Sequence, residues 1–326
     1  MKKLLLLLVF CSMATFGFAD EKLKIGVTGV LHPYFGPMET AAKDYMKASS
    51  IPTKYRATQH FDMEEANVII DGMVTLGYNA FAMWPGHPNS VNATITELLD
   101  QGIPTILIAG PAKLPTDAKM CIATDVGSSA AKGASSLIKA MGGKGNIVNL
   151  LGNLSDPNTL IRKKAIEDTA AKYPDIKIIA EISGIDSFEA ATAKMDAYLS
   201  TKSKNVDGMI STAYVPSVVG AQILTEMGDK RIKFVGIDDD AKVLEAISAG
   251  YVTGTMTQSP YGQAFAAMEG LRLLNKGYTI KKGVYFVDSG SFIINSGNVD
   301  SYKQILKSNA EKMVAELAKT YFDNPK

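Results

Sequence analysis

Two hydrophobic signals alternate along the chain: short unbroken apolar runs, and longer stretches with apolar residues every three or four positions. The first kind predicts strands covered on both faces; the second predicts amphipathic helices. Lys22–Val30 reads as a strand, Pro37–Ala48 as a helix and Thr53–Thr58 as a second strand. Asp62–Leu76 reads as a helix, with Asp62 as N-cap and Glu65 three residues on. Asn79–Trp84, Ser90–Gln101, Pro104–Gly110 and Lys119–Asp125 continue as strand, helix, strand and strand. The series then restarts with a helix over Val126–Met141. Asn146–Leu151, Lys177–Ser183, Asp207–Thr212 and Lys233–Asp238 predict strands; Thr159–Lys172, Phe188–Ser200, Val218–Met227 and Val243–Ala249 predict the helices between them. Thr255–Gln258, the helix Tyr261–Asn275 and the strand Tyr285–Val287 come last, ahead of an amphipathic helix over Tyr302–Tyr321.

Helices closed by glycine (Gly77, Gly102, Gly142, Gly228, Gly250) and followed by short β-branched runs indicate βαβ units and parallel sheets. The fold class is α/β, in two doubly wound lobes that divide near Ala123–Asp125. The elements after Thr255 are surplus to a self-contained second lobe, so the chain is expected to cross back to the first and return near Ser289–Phe292. The expected division is 20–124 plus 258–288 for the first lobe, and 125–257 plus 289–326, with the C-terminal helix, for the second. No Pro/Gly/Ser-rich tether separates them, which predicts a hinge of several segments.

At 326 residues, 46% hydrophobic and 21% charged, the chain has the composition of an ordinary globular protein large enough for two domains. Its first 19 residues read as a signal peptide. Lys2 and Lys3 supply the positive start, Leu4–Phe10 the apolar core and Gly17-Phe18-Ala19 the cleavage site. Cleavage would leave 32 basic against 33 acidic residues, which argues against nucleic acid or anionic lipid as a partner. Removal of the leader also removes Cys11. Cys121 then stands alone, without a disulfide partner, and reads as a small buried hydrophobe. Acylation at Cys11 is the alternative to release into the periplasm, but bulky Phe10 precedes it where lipoproteins want a small residue.

In open parallel sheets, ligands lie beyond the carboxyl ends of the strands. Those ends carry His32, Tyr34 and Phe35; Trp84, His87 and Asn89; Gly110 and Pro111; Asn153, Asp156 and Asn158 ahead of Arg162; Tyr214; Asp238; and Gln258 with Tyr261. Aromatic faces suit the C–H surfaces of a small polyhydroxylated molecule, and carboxylate, guanidinium and amide groups pair its hydroxyls. Each residue also has a plainer role: Tyr34, Phe35 and Trp84 as core, Arg162 as part of a solvated basic face with Lys163 and Lys164. Asp239 or Asp240 reads as a helix cap rather than as part of a metal site with Asp238. Three dispersed histidines make no zinc site, and Gly142-Gly143-Lys144-Gly145 precedes a strand, which is the wrong side for a phosphate loop. With no nucleophile elbow, HExxH motif or Cys–His pair, the sequence indicates no enzyme and no cofactor.

Four segments taken together resemble the type I periplasmic sugar-binding proteins, such as the ribose- and galactose-binding components of ABC transporters. They are His32-Pro33-Tyr34-Phe35, the stretch from Gly152-Asn153 to Arg162-Lys163-Lys164-Ala165, Phe234–Asp238 and Gly254–Gln258. The resemblance covers nearly the whole mature chain. It implies two lobes, a three-crossing hinge, and a sugar held between the lobes for delivery to an ABC permease. It also implies an aromatic pair at Tyr34 and Phe35, with His32 where Asn is usual, and ligand contacts from Arg162, Asp238 and Gln258. Two departures stand out: Ala109-Gly110 replaces a charged pair, and Tyr214 replaces an Asn. Both point away from an ordinary aldopyranose or ribose, toward a linear polyol, a deoxy sugar, a furanone-like signal or a non-sugar. A sensory adaptor docking on a chemoreceptor or sensor kinase is the alternative. The leader, and the absence of a preceding helix-turn-helix, argue against a repressor of the same fold.

Overall fold

The computed structural model describes residues 22–325, so the predicted signal peptide and Cys11 lie outside the described residues. The first sheet opens with β1 (Ile25–Val30), every residue of which is buried. A single turn of 3₁₀ helix (Pro33–Phe35) leads into α1 (Gly36–Ser49). There follow β2 (Thr53–Thr58), α2 (Met63–Thr75), β3 (Ala80–Met83), α3 (Val91–Asp100), β4 (Thr105–Ile108) and β5 (Met120–Ala123). Asp62 caps α2 as expected, its carboxylate accepting from the backbone N–H groups of Glu64 and Glu65.

The second sheet takes over without a linker. It begins with α4 (Val126–Ala140), β6 (Gly145–Leu150), α5 (Pro157–Ala170), β7 (Ile176–Ile182) and α6 (Phe188–Lys202). It continues with β8 (Gly208–Ser211), α7 (Tyr214–Met227), β9 (Lys233–Ile237), α8 (Ala241–Ser248) and β10 (Gly254–Thr257). The chain then gives α9 (Pro260–Asn275), β11 (Thr279–Ile280), β12 (Phe286–Asp288), β13 (Phe292–Ile294), α10 (Tyr302–Tyr321) and β14 (Phe322–Asp323).

Strand order is β12-β5-β4-β3-β1-β2 in one six-stranded sheet and β13-β10-β9-β8-β6-β7 in the other. All neighbours run parallel except β13, which lies antiparallel on β10. There the backbones approach so closely that a Cβ on Gly254 would meet the Ile294 carbonyl at 2.6 Å. Each sheet is packed on both faces: Ile25, Val27, Ile106 and Ile122 lie in one layer of the first and Phe81, Met83, Leu107 and Cys121 in the opposite one, while Val148 and Phe234 face away from Ile147 and Val235 in the second. Cys121 is fully buried, and burial pushes its thiol pKa up, in keeping with a structural role.

Three segments pass between the sheets: Thr124–Asp125, Gln258–Ser259 and Ser289–Ser291. The last helix departs from expectation. It does not stay with the second lobe: Tyr302 and Leu306 pack there, whereas Met313, Val314, Leu317 and Ala318 join the core around α1 and α9. β14 then pairs with β11, beyond α9. The apolar face of α10 runs its whole length, so its sequence pattern fixes burial without fixing which lobe supplies the partner.

Candidate functional site

A cavity of about 270 Å³ lies at the carboxyl ends of the strands, between the two lobes. Pro33, Tyr34 and Pro37 line it from the first lobe. Tyr214 and Asp238–Ala241 line it from the second, and Thr257, Gln258 and Pro260 from the middle crossing. A larger, open groove of about 520 Å³ lies at the amino ends of β1 and β2, between α1 and α9. Its one carboxylate, Glu269, is already paired with Arg272 and Tyr45, which makes the interlobe cavity the better candidate.

The first-lobe wall is built by the turn after β1. The backbone N–H of Tyr34 donates to His32 Nδ1 at 3.2 Å, and Pro33 presets the backbone angle of the turn. That geometry sets the Tyr34 ring in the cleft while its hydroxyl donates to Gln263 Oε1 at 3.1 Å. Burial first, and then the Asp238 charge, push the Tyr34 hydroxyl pKa upward, so it remains a donor. Phe35 turns the other way, into the core, at 4% exposure.

The second-lobe wall ends in a carboxylate held on strained backbone. Asp238 follows β9 with φ of 69°, a left-handed conformation that Asp tolerates better than most residues. Its N–H donates to the Met256 carbonyl at 2.8 Å, and Thr255 Oγ1 donates to its carbonyl at 2.7 Å, which together fix the turn. Gln258 Nε2 donates to Asp238 Oδ1 at 3.2 Å. Burial raises the Asp238 pKa to about 6, against the opposing pull of the Arg162 charge and the Gln258 hydrogen bond. Arg162 projects from α5, whose first turn is capped by Asp156; its Nη1 donates to the Thr212 carbonyl at 3.1 Å. Tyr214 opens α7 and donates to Asp240 Oδ2 at 2.7 Å, while Asp240 Oδ1 caps α8. Across the cleft, His32 meets the Tyr214 ring edge-on at 5.3 Å.

Of the ten residues expected from sequence, Tyr34, Tyr214, Asp238 and Gln258 line the cavity, and His32 and Arg162 stand beside it. The other four do not line it. Trp84 is 7% exposed and packs edge-on to Phe35 at 5.9 Å, which makes both rings core that backs the site. Asn89 is exposed on the loop that Pro85-Gly86 turns away from β3. Asn158 sits on the first turn of α5, its N–H donating to Asp156. Two residues escaped the sequence reading. Phe61, 66% exposed beyond β2, lies 5.7 Å from the Trp84 ring and 5.8 Å from His32. It follows β2, a strand end from which the sequence reading drew no candidate. Gln263 was hidden because it is a polar residue inside a helix of small apolar ones. Among the described residues no His/Cys/Asp/Glu cluster could hold a metal, and no helix is long and apolar enough to cross a membrane.

An aromatic wall facing a carboxylate, a phenol and an amide is equipped to bind a small neutral molecule rich in hydroxyls. Known proteins with the same organisation agree. Residues 27–278 match the periplasmic binding protein domain. The chain is 26% identical over 294 residues to a xylitol-binding protein of Mycolicibacterium smegmatis, covering 90% of this chain and 83% of that one. It is 26% identical over 305 residues to a D-apiose import binding protein of Actinobacillus succinogenes, covering 91% and 96%. In three dimensions it resembles a solute-binding protein from Burkholderia graminis in complex with D-arabinose. The TM-score is 0.78 at 21% identity, over 87% of this chain and 99% of that one. A solute-binding protein from Actinobacillus succinogenes with bound D-allose gives 0.77 at 22% identity, over 86% and 100%. With its match running from β1 to the end of α9, this chain belongs to the periplasmic binding protein family, whose members are binding proteins rather than enzymes.

Proposed function

We propose that this protein captures a small sugar-like or polyol ligand between its lobes, outside the cytoplasm, and delivers it to an ABC permease. The observation that carries the reading is the cavity itself, which takes residues from both lobes and from a crossing between them. Its volume of about 270 Å³ falls just below the usual range of ligand sites, roughly 300–1,000 Å³, and suits a single monosaccharide-sized guest. Tyr34 covers a C–H face. Asp238, with Arg162 near it, and Gln258 pair hydroxyls by charge-assisted and amide hydrogen bonds. With Ala109-Gly110 and Tyr214 in place of a charged pair and an amide, the site favours a linear polyol or deoxy sugar over an ordinary pyranose. Xylitol and D-apiose, named for the relatives, are the first compounds to try. Residues 1–19 act as the signal peptide in this reading, and release is favoured over acylation at Cys11. The lobes comprise 20–124 with 258–288 and 125–257 with the segment from 289 to about Leu306.

A thermal-shift screen of residues 20–326 against pentitols, pentoses, deoxy sugars and nucleosides should single out one class, since ligand at a thousandfold excess over Kd stabilises by about 4 kcal/mol. Arg162→Ala or Asp238→Ala should then weaken binding of that compound by about 2–5 kcal/mol in calorimetry, with far-UV circular dichroism unchanged. Wild-type affinity in both variants would remove these residues from the site. Loss of uptake of the same compound on gene deletion is the expected sign of transport; intact uptake with lost chemotaxis or signalling would point to the sensory adaptor instead.

A further inference from the structure

Gln263 is fully buried on the first turn of α9, and its side chain makes four hydrogen bonds. Oε1 accepts from the Tyr34 hydroxyl at 3.1 Å and from the Ala109 N–H at 3.2 Å. Nε2 donates to Thr124 Oγ1 at 3.1 Å and to Ser289 Oγ at 3.0 Å. A backbone N–H can only donate, so Ala109 fixes which end of the amide is oxygen, and every donor and acceptor of the side chain is then used.

The partners matter more than their number. Thr124 lies on the first crossing and Ser289 on the third, with their hydroxyls 3.1 Å apart. Gln263 itself follows the second crossing directly, its N–H donating to the Ser259 carbonyl at 2.9 Å. Ala109 closes β4 in a left-handed conformation, φ 67°, which an alanine holds only where its surroundings impose it. Tyr34 is the aromatic wall of the cavity. One side chain therefore joins the first and third crossings, a strained strand end and the ligand-facing ring, and the backbone N–H of the same residue ties in the second crossing.

We infer that Gln263 is a positioning residue that couples contact at Tyr34 to the setting of the three crossings, so that ligand binding and lobe rotation act as one event. The inference rests on the proposed ligand site only through Tyr34; the junction of the crossings stands without it. A ligand that moves the phenol displaces the donor to Oε1. The amide then shifts against the Thr124 and Ser289 hydroxyls, because no slack bond remains to absorb the change.

Tyr34 and Ser289 share no hydrogen bond and meet only through Gln263, so a double-mutant cycle isolates it. With xylitol as the probe, Tyr34→Phe and Ser289→Ala should depart from additivity in Kd by threefold or more. The departure should vanish in a Gln263→Met background, which keeps the volume and removes the bonds. Additive effects in the wild-type background would overturn the inference. Hydrogen exchange on ligand-free protein keeps the test independent of xylitol, and of whether Gln263→Met folds well. The backbone N–H groups of Asp125 and Ser289 bond across the first and third crossings. They should exchange at least tenfold faster in Ser289→Ala, with Ala109 rising alongside them. Exchange confined to Ser289 and its chain neighbours refutes the coupling. If wild-type protein ignores xylitol while exchange behaves as expected, the ligand class is wrong and the coupling holds.

Discussion

The two lobes hold their halves of the cleft by different physics. In the first, Tyr34 is backed by Phe35 and Trp84, buried rings packed edge to face, so shape supports it alongside its hydrogen bonds to His32 and Gln263. In the second, Asp238, Arg162, Tyr214 and Asp240 are oriented by hydrogen bonds and charge, although the Tyr214 ring also packs on the second core and against Phe188. A wall set by shape fails when volume is lost and is indifferent to pH. A wall set by charge keeps its fold when trimmed, but its affinity follows protonation.

Trp84→Ala should break the contrast most severely. It removes the largest ring of the backing cluster and should cost about 3–5 kcal/mol of unfolding free energy in denaturant titration. An effect below 1 kcal/mol would mean that Trp84 is not core. Tyr214→Phe tests the opposite lobe. It deletes a hydrogen bond to a carboxylate and should reduce affinity or stability by about 1.5–3 kcal/mol with the melting cooperativity kept. Loss of cooperative unfolding would show that the second wall, too, depends on packing. The smallest effect is the pH response of Asp238. Its pKa is raised to about 6 by burial, whereas a free Asp titrates near 4. Between those values the native state binds the extra proton, so this group's contribution to stability declines as pH rises from about 4 to 6. Hydroxyls donating to the carboxylate reverse the sign for binding. Affinity should fall as pH drops through about 6, approaching tenfold per unit below it. A flat binding profile from about pH 5 to 8 would place the ligand elsewhere.

The same division decides what could be read from the sequence. Strands buried on both faces announce themselves as apolar runs, and capped helices as polar starts, so most elements fell within a few residues of expectation. The helix expected from Val218 starts four residues earlier, at Tyr214, with Pro216 in its first turn, where proline is tolerated. Asp238 and Gln258 were legible because each stands at a strand end. Phe35 and Trp84 stand there too, but sequence position does not say whether a ring faces the cleft or the core. Gln263 was illegible, since its role exists only where three segments distant in sequence converge.

Because α10 rests on one lobe near Leu306 and on the other from Met313 onward, it acts as an external strut across the joint. Any opening or shutting of the jaws must flex that rod or peel one end of it away. The stiffness of a single surface helix thus helps set how wide the empty trap stands.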